Sequence, residues 1–534
     1  MDELQIFERV CRAMADPCFY PHPVARLERR DTHISVVFLT GALVYKLKKP
    51  LDFGFLDYRG LENRRRQCEA EITLNQRLSH GVYEGVQEIR KTGEGFHLGG
   101  SGEVAEYAVR MKQLPDEAAL SCLLARNKVD AADMMRLGRH LAGFYARSER
   151  SPEIDRYGRA EVVNFNTEEN FRQLEPFVGK LVRRNPFDFI RESSRAFFKN
   201  AQPLFDRRLA EGRICDGHGD LRTEHVYFLD GIQIIDCIEF NERFRYGDTA
   251  VDLAFLHMDT ERLGRPDLSL AMLEGYTEVS RDFGLYTLLD FYSCYRAIVK
   301  MKVACLTWTE LEESSRKVEM ASRAEQYLEL AFRYAVQFSR PTLWVFCGLP
   351  GAGKSTYAEK VKEVFGIPLF QSDRERRELP IYRLHPGPAP FGEGAYGAGV
   401  RGHVYARLLS LAHDELKRGG SCILDATFSL GKWREEALRL AQDCDANILF
   451  FECTSGEEAM LKRMGRRKTG EDLSDARPDI LRDMLNHFEK IDDLPPGLHA
   501  KIDTENDIPG NTNALFSQAY AMKRTQVEKA IAGL

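Results

Sequence analysis

Residues 342–356 read TLWVFCGLPGAGKST. The first six, Thr342 to Cys347, are a short run of apolar and aromatic residues, the pattern of a strand buried on both faces. The next nine fit G-x-x-x-x-G-K-[ST], and the sequence that follows reads as a helix. Each residue type in that loop has a physical task. Gly348, Gly351 and Gly353 let backbone N–H groups turn inward and wrap a phosphate. Lys354 brings a positive charge to the β- and γ-phosphates, and the Ser355 hydroxyl, with Thr356 beside it, faces Mg²⁺. The helix start adds its partial positive charge. Strand, glycine turn and helix together indicate a phosphate-binding loop in an α/β domain.

Downstream, acids recur where strands are expected to end. Pro368 to Gln371 reads as a strand followed by Ser372-Asp373-Arg374-Glu375-Arg376. A carboxylate at Asp373 accepts a proton from an acceptor hydroxyl or orders Mg²⁺. Ile423-Leu424-Asp425-Ala426-Thr427 puts a second acid at a strand end, where ligands of parallel sheets sit. Arg463, Arg466 and Arg467 have helical spacing before a Thr469-Gly470 break, which suits a lid carrying guanidinium groups to a transferring phosphate. Further strands are expected at 422–424, 448–452 and 499–502, alternating with helices, so the sheet should be parallel. These elements resemble the small P-loop kinases that phosphorylate metabolites or polynucleotide 5′-ends, the zeta-toxin, gluconate-kinase and polynucleotide-kinase-like group. The matching pieces are GLPGAGKST, SDRER, ILDATF and LKRMGRR…SDA. The resemblance implies that Asp373 binds the acceptor or acts as base, with Arg376 assisting; Asp425, from its strand-end position, is the further substrate-binding candidate. No helicase- or AAA-type partner motif is visible, which favours phosphoryl transfer over mechanical ATP hydrolysis.

Upstream of about residue 340 the style changes. Ile34 to Leu39 and Leu43 to Leu47 read as strands around a Gly41 turn, Leu61 to Leu78 as a helix, and Val104 to Met111 as a further strand. From about 116 to 335 the pattern is mostly helical. A hairpin interrupts it, with Val226 to Leu229 and Ile232 to Ile235 joined by Asp230-Gly231.

His218-Gly219-Asp220-Leu-Arg-Thr-Glu-His225 precedes that hairpin, and Ile234-Ile235-Asp236 closes it. The order resembles the catalytic loop and later metal-binding Asp of the protein-kinase-like fold. That likeness makes Asp220 the base for an acceptor hydroxyl and Asp236 a Mg²⁺ ligand, with Glu239 a possible further carboxylate. His225 stands where the pattern has Asn, and imidazole is a poor ligand for hard Mg²⁺. His225 is therefore either a weak metal ligand or a partner of phosphate or Asp220. Val44-Tyr45-Lys46 offers the strand lysine, with Lys48 as rival on the same face. Glu71 offers its helical partner, with Glu69 as alternative. Residues of about 25–335 thus resemble the aminoglycoside phosphotransferase and choline-kinase-like family. That family implies ATP, Mg²⁺ and a small-molecule hydroxyl acceptor.

The expected architecture is an α+β protein-kinase-like bilobal domain followed by an α/β P-loop domain with a parallel sheet. Its parts are an N-lobe at 1–115, a helical lobe at 116–338 and a P-loop kinase at 339–534. The length of 534 residues accommodates both. Lys+Arg 75 against Asp+Glu 81 gives a net charge of −6, which argues against a general nucleic-acid binder. A nucleic-acid end remains the second candidate acceptor for the P-loop half, because Arg463 to Lys468 is basic. The 12 Cys show no C-x-x-C pair and suit reduced thiols in a cytoplasmic protein. No run of about 18 apolar residues exists, so no membrane partner is expected. Gly392 to Gly402 reads as a surface loop or a flap over an acceptor.

Overall fold

The computed structural model describes residues 2–54, 56–93, 95–312, 314–380, 397–466 and 478–533. The Gly-rich stretch before 397 and the expected lid residues 467–477 lie outside the described residues. The chain divides into two compact units, Met1–Asn166 with Phe205–Ser280, and Thr167–Leu204 with Arg281–Leu534.

The first unit opens with a six-stranded antiparallel sheet. Its strands are β1 (Glu28–Asp31), β2 (Ser35–Leu39), β3 (Leu43–Lys48), β4 (Tyr83–Thr92), β5 (Gly95–Leu98) and β6 (Glu103–Lys112), in the order β1-β2-β3-β6-β4-β5. Strand periodicity sends Tyr45 and Leu47 to one face and Val44, Lys46 and Lys48 to the other. On the first face, Phe7, Val10, Cys11 and Met14 of the helix Glu3–Met14 pack on Val36, Phe38, Tyr45 and Leu47. On the second, the helix Leu61–Asn75 brings Cys68 against Val44, Val109 and Met111. The sequence reading had missed that first helix and β1, β4 and β5. The strands among them are mixed or charged (ERRD, YEGVQEIRKT) and carry no apolar run.

The rest of this unit is largely helical, with β7 (Ile214–Asp216) pairing β10 (Tyr246–Asp248) and β8 (Val226–Phe228) pairing β9 (Ile232–Ile234). The expected turn between β8 and β9 is there. Asp230 and Gly231 both take positive φ, 49° and 100°, as a two-residue hairpin turn requires.

The second unit contains a wholly parallel sheet of β11 (Thr342–Cys347), β12 (Leu369–Gln371), β13 (Cys422–Asp425), β14 (Asn447–Thr454) and β15 (His499–Asp503), ordered β12-β13-β11-β14-β15. Both faces are covered, as parallel sheets demand. Leu343, Val345 and Cys347 face Leu408, Ala412, Trp433 and Ala437 of the helices Ala398–Lys417 and Gly431–Asp443. On the opposite face Trp344 stacks on Phe451 and meets Phe365 at a tilt of 49°. The C-terminal helix Ile508–Ala532 is anchored on the helix Leu285–Glu310 by a buried polar knot. There Asp290 accepts from Tyr520 Oη at 2.8 Å and Gln337 Nε2 at 3.0 Å.

The architecture is therefore a protein-kinase-like α+β region followed by an α/β P-loop region. All twelve cysteines are free, most of them buried. Among the described residues no helix is long and apolar enough to cross a membrane.

Candidate functional site

The strand β3 and the helix Leu61–Asn75 converge on one carboxylate, Glu71, which is fully buried. Lys46 Nζ lies 2.9 Å from Glu71 Oε1 and 2.6 Å from Asp236 Oδ1. Lys48 Nζ lies 2.6 Å from Glu71 Oε2 and also bonds Glu239, which accepts from Tyr58 Oη at 2.5 Å. Both lysines therefore engage the glutamate. Lys46 reaches onward to Asp236 and Lys48 to Glu239. Glu239 accordingly sits in the N-lobe network, bonded to Lys48 and Tyr58. Glu69 is on the outside of its helix, paired with Arg65 at 3.0 Å.

Burial opposes charge on Lys46, Lys48, Glu71 and Asp236, yet pairing prevails. For Asp236 burial would raise the carboxyl pKa, but Lys46, then His225 and Arg222, hold it well below the usual carboxylate range. Burial would lower Lys46 and Lys48, and their acidic partners hold both above the normal lysine value.

Asp220 and His225 arrive from the loop after β7. The ligand atoms of Asp220, His225 and Asp236 all lie within 4.8 Å of one another. Arg222 holds Asp220 through two nitrogens, with Nε–Oδ1 3.0 Å and Nη2–Oδ2 3.0 Å. The loop is built from buried groups the sequence reading did not single out. Asp252, on the helix Thr249–Arg262, accepts from the His218 and Gly219 backbone N–H groups at 2.6 and 2.9 Å. Asp259 accepts from the Thr223 N–H and hydroxyl. Their only sequence signal was a seven-residue spacing, two helical turns, in DTAVDLAFLHMD. Gly219 has φ +87°, and a Cβ there would sit 2.8 Å from the Phe244 carbonyl oxygen, so this position needs glycine.

His218 is a scaffold in this geometry. Its Nε2 donates to the Ile235 carbonyl at 3.0 Å and its Nδ1 accepts from the Asp220 N–H at 3.3 Å. Burial, then the neighbouring His225, pushes its pKa down from 6.5 to about 3. Between those values the unfolded chain takes up a proton that the folded chain refuses, so stability falls as pH falls through that window. The slope from this one group approaches about 1.4 kcal/mol per pH unit. Urea unfolding at pH 7 and pH 4.5 should show a smaller acid loss for His218→Asn than for wild type. Equal losses would refute this assignment.

In the second unit the loop 348–353 turns from β11 into the helix Lys354–Phe365. Gly348, Gly351 and Gly353 all have positive φ. Lys354 Nζ donates to the Leu349 carbonyl at 3.0 Å. Ser355 Oγ donates to Asp425 Oδ2 at 2.6 Å, and Gln371 Nε2 donates to the same oxygen at 3.1 Å. Burial raises the Asp425 pKa. Asp425 thus stands beside the Ser355 hydroxyl, and Thr356 is exposed on the first turn. Asp373 and Arg376 pair with each other one helical turn apart. Arg463 is brought to the loop rather than out on a lid. It donates to the Gly351 carbonyl at 3.2 Å and to Thr504 Oγ1 at 2.8 Å. Arg466 is exposed at the end of its helix and has no part in that contact set.

A family model described as an AAA domain matches residues 343–491. An uncharacterized protein of Mycobacterium tuberculosis (strain H37Rv) is 34% identical over 464 residues, 86% of this chain and 90% of the relative. Among solved structures, a putative kinase from Chloroflexus aurantiacus is 18% identical with TM-score 0.27, covering 34% of this chain and 97% of its own. A choline/ethanolamine kinase family protein from Mesorhizobium loti is 11% identical with TM-score 0.36, covering 61% of this chain and 99% of its own.

Proposed function

We propose that this chain, which belongs to the same family as the Mycobacterium tuberculosis protein, is an ATP-dependent phosphotransferase with two kinase sites, each moving a γ-phosphoryl group to a small-molecule hydroxyl. The observation that carries the reading is the chain of contacts Glu71–Lys46–Asp236, with Asp220 and His225 beside it. The working division keeps an N-lobe at 1–115, a helical lobe at 116–338 and a P-loop kinase at 339–534, in the cytoplasm.

In the first site Lys46, held by Glu71, meets the nucleotide phosphates. Asp220 takes the acceptor hydroxyl proton, and Arg222 fixes the direction of that carboxylate. Two carboxylates fit the Mg²⁺ that accompanies ATP, while the imidazole of His225 fits a hard cation poorly. Asp236 and, more weakly, His225 would hold the ion, which when bound neutralises phosphate charge. In the second site the N–H groups of 348–353 and Lys354 cradle phosphates. Ser355 and Asp425 would hold the ion there, while Asp373 and Arg376 receive the acceptor. Arg463, and Arg466 near it in sequence, supply positive charge to the transferring group. Catalysis in both is positioning and charge neutralisation.

The test is γ-labelled ATP with a metabolite extract, run on wild type, Asp220→Ala and Lys354→Ala, with labelled products identified by mass. Each substitution should abolish a different product. No labelled product from any form overturns the reading. Loss of all products in Lys354→Ala with none lost in Asp220→Ala would make the first site a nucleotide sensor. Lys354-dependent labelling of an oligonucleotide 5′-hydroxyl would instead assign the second site to nucleic-acid ends.

A further inference from the structure

We propose that Arg77 is a positioning residue of the first kinase site. It ties the end of the helix that carries Glu71 to the loop that carries Asp220 and to the turn that carries Asp236. The proposal rests on reading that site as a kinase site. Arg77 touches none of the three acids' carboxylates in the contacts described above and acts through the backbone around them.

Asp236 has φ +64°, a sparsely populated conformation for a residue with a side chain. Such a conformation persists where the surrounding bonds over-determine it. Here they come from the segment that follows the helix Leu61–Asn75. The Asp236 N–H donates to Tyr83 Oη at 3.3 Å. The next N–H, of Cys237, donates to Oδ1 of the buried Asn75 at 2.9 Å. Arg77 Nη2 donates to the Cys237 sulfur at 3.3 Å.

The same guanidinium holds the chain just ahead of His218-Gly219-Asp220. Its Nη1 donates to the Asp216 carbonyl at 3.1 Å and its Nη2 to the Gly217 carbonyl at 2.8 Å. Nη1 also lies 3.3 Å from Asp216 Oδ2. Nε donates to the Leu74 carbonyl at 3.0 Å, so the plane of the group is set by the end of its own helix. A planar fork with donors in fixed directions suits two adjacent carbonyls, and a lysine ammonium does not match it. Two further bonds run beside the fork. The Ile234 N–H donates to the Leu78 carbonyl at 3.0 Å, and the His80 N–H to Gln233 Oε1 at 2.7 Å. One helix thus places Lys46 through Glu71 and both acid-bearing segments through its far end. Asp216 also pairs with Arg245, so removing Arg77 leaves no unpaired acid behind.

The experiment uses the full chain carrying Lys354→Ala, so that only the first site turns over, with Arg77→Met, Arg77→Lys or neither added. Turnover is counted per nucleotide bound. A purely structural role would lower the number of molecules that bind nucleotide and leave the rate of each unchanged. Arg77→Met should lose at least about tenfold in kcat, toward the hundredfold of a 1 Å misplacement, with KM for ATP little changed. Arg77→Lys keeps the charge without the fork and should recover only part of that loss. Unchanged kcat in Arg77→Met, a loss confined to KM, or full recovery by lysine each overturns the proposal. Amide hydrogen exchange is measured on the same samples without nucleotide. The parent should protect the Ile234 and Cys237 amides, and Arg77→Met should speed exchange at Cys237 by about tenfold or more. Unprotected amides in the parent overturn the proposal even if both variants fail to fold. A parent without Asp220-dependent product overturns the kinase reading and the proposal with it. Asp220-dependent product that is indifferent to Arg77 overturns the proposal alone.

Discussion

Lys48→Met is expected to lower the stability of the first unit by roughly 3–5 kcal/mol, the cost of breaking a buried ion pair from one side. The Lys48 ammonium is fully buried and bonded to both Glu71 and Glu239. Methionine matches its length but removes the charge. Glu239 then keeps only the Tyr58 hydroxyl among the contacts described above, and Glu71 keeps Lys46. Glu239 loses its paired cation, and Glu71 shares Lys46 with Asp236. For a unit of this size the loss corresponds to a fall in Tm of about 6–20 °C. The double variant Lys48→Met with Glu239→Gln removes one charge of each sign and should regain part of that loss. Thermal unfolding followed by circular dichroism checks both. A shift of less than about 2 °C for the single variant would show that Lys48 is not paired as described.

Gly348→Ala is expected to reduce the Lys354-dependent phosphorylation at least about a hundredfold, the scale of a 1 Å misplacement in a reacting site. Gly348 has φ +129°, where a side chain is strained, and its added Cβ would run into the Cys453 carbonyl oxygen on β14. That oxygen is part of a sheet strand and cannot yield cheaply. The loop must shift instead, and the N–H groups meant for phosphate move with it. The Asp220-dependent product should be unaffected, which separates a local loop defect from general misfolding. Product formation by both variants of the labelling assay, with Gly348→Ala alongside, measures this directly. Wild-type activity of Gly348→Ala would contradict the loop's proposed role.

Much of the candidate chemistry was legible because it lies in short local motifs. The phosphate loop needs closely spaced glycines and a following lysine, so TLWVFCGLPGAGKST declares strand, turn and helix together. The same holds for HGD and for the Asp-Gly hairpin. Strands β11, β13 and β14 were readable because burial on both faces forces continuous apolar runs. The charged strand β1 and the mixed strand β4 carry no such pressure. The helix Glu3–Met14 was overlooked among charges, although its apolar residues share one face.

What sequence alone determined is the inventory: which lysines, acids and glycines exist and in what order along each motif. It left Lys46 and Lys48 as rivals because both project from one face of β3. Tertiary structure removed the rivalry by giving each lysine its own distant acid, Asp236 or Glu239, about 190 residues away in the chain. It likewise bonded Glu239 to Lys48 and Tyr58, brought Arg463 onto the loop at Gly351, and placed Asp252 under the His218 and Gly219 N–H groups. Such pairings follow from which buried charge must meet which, and that is settled by packing across the fold rather than by spacing along the chain.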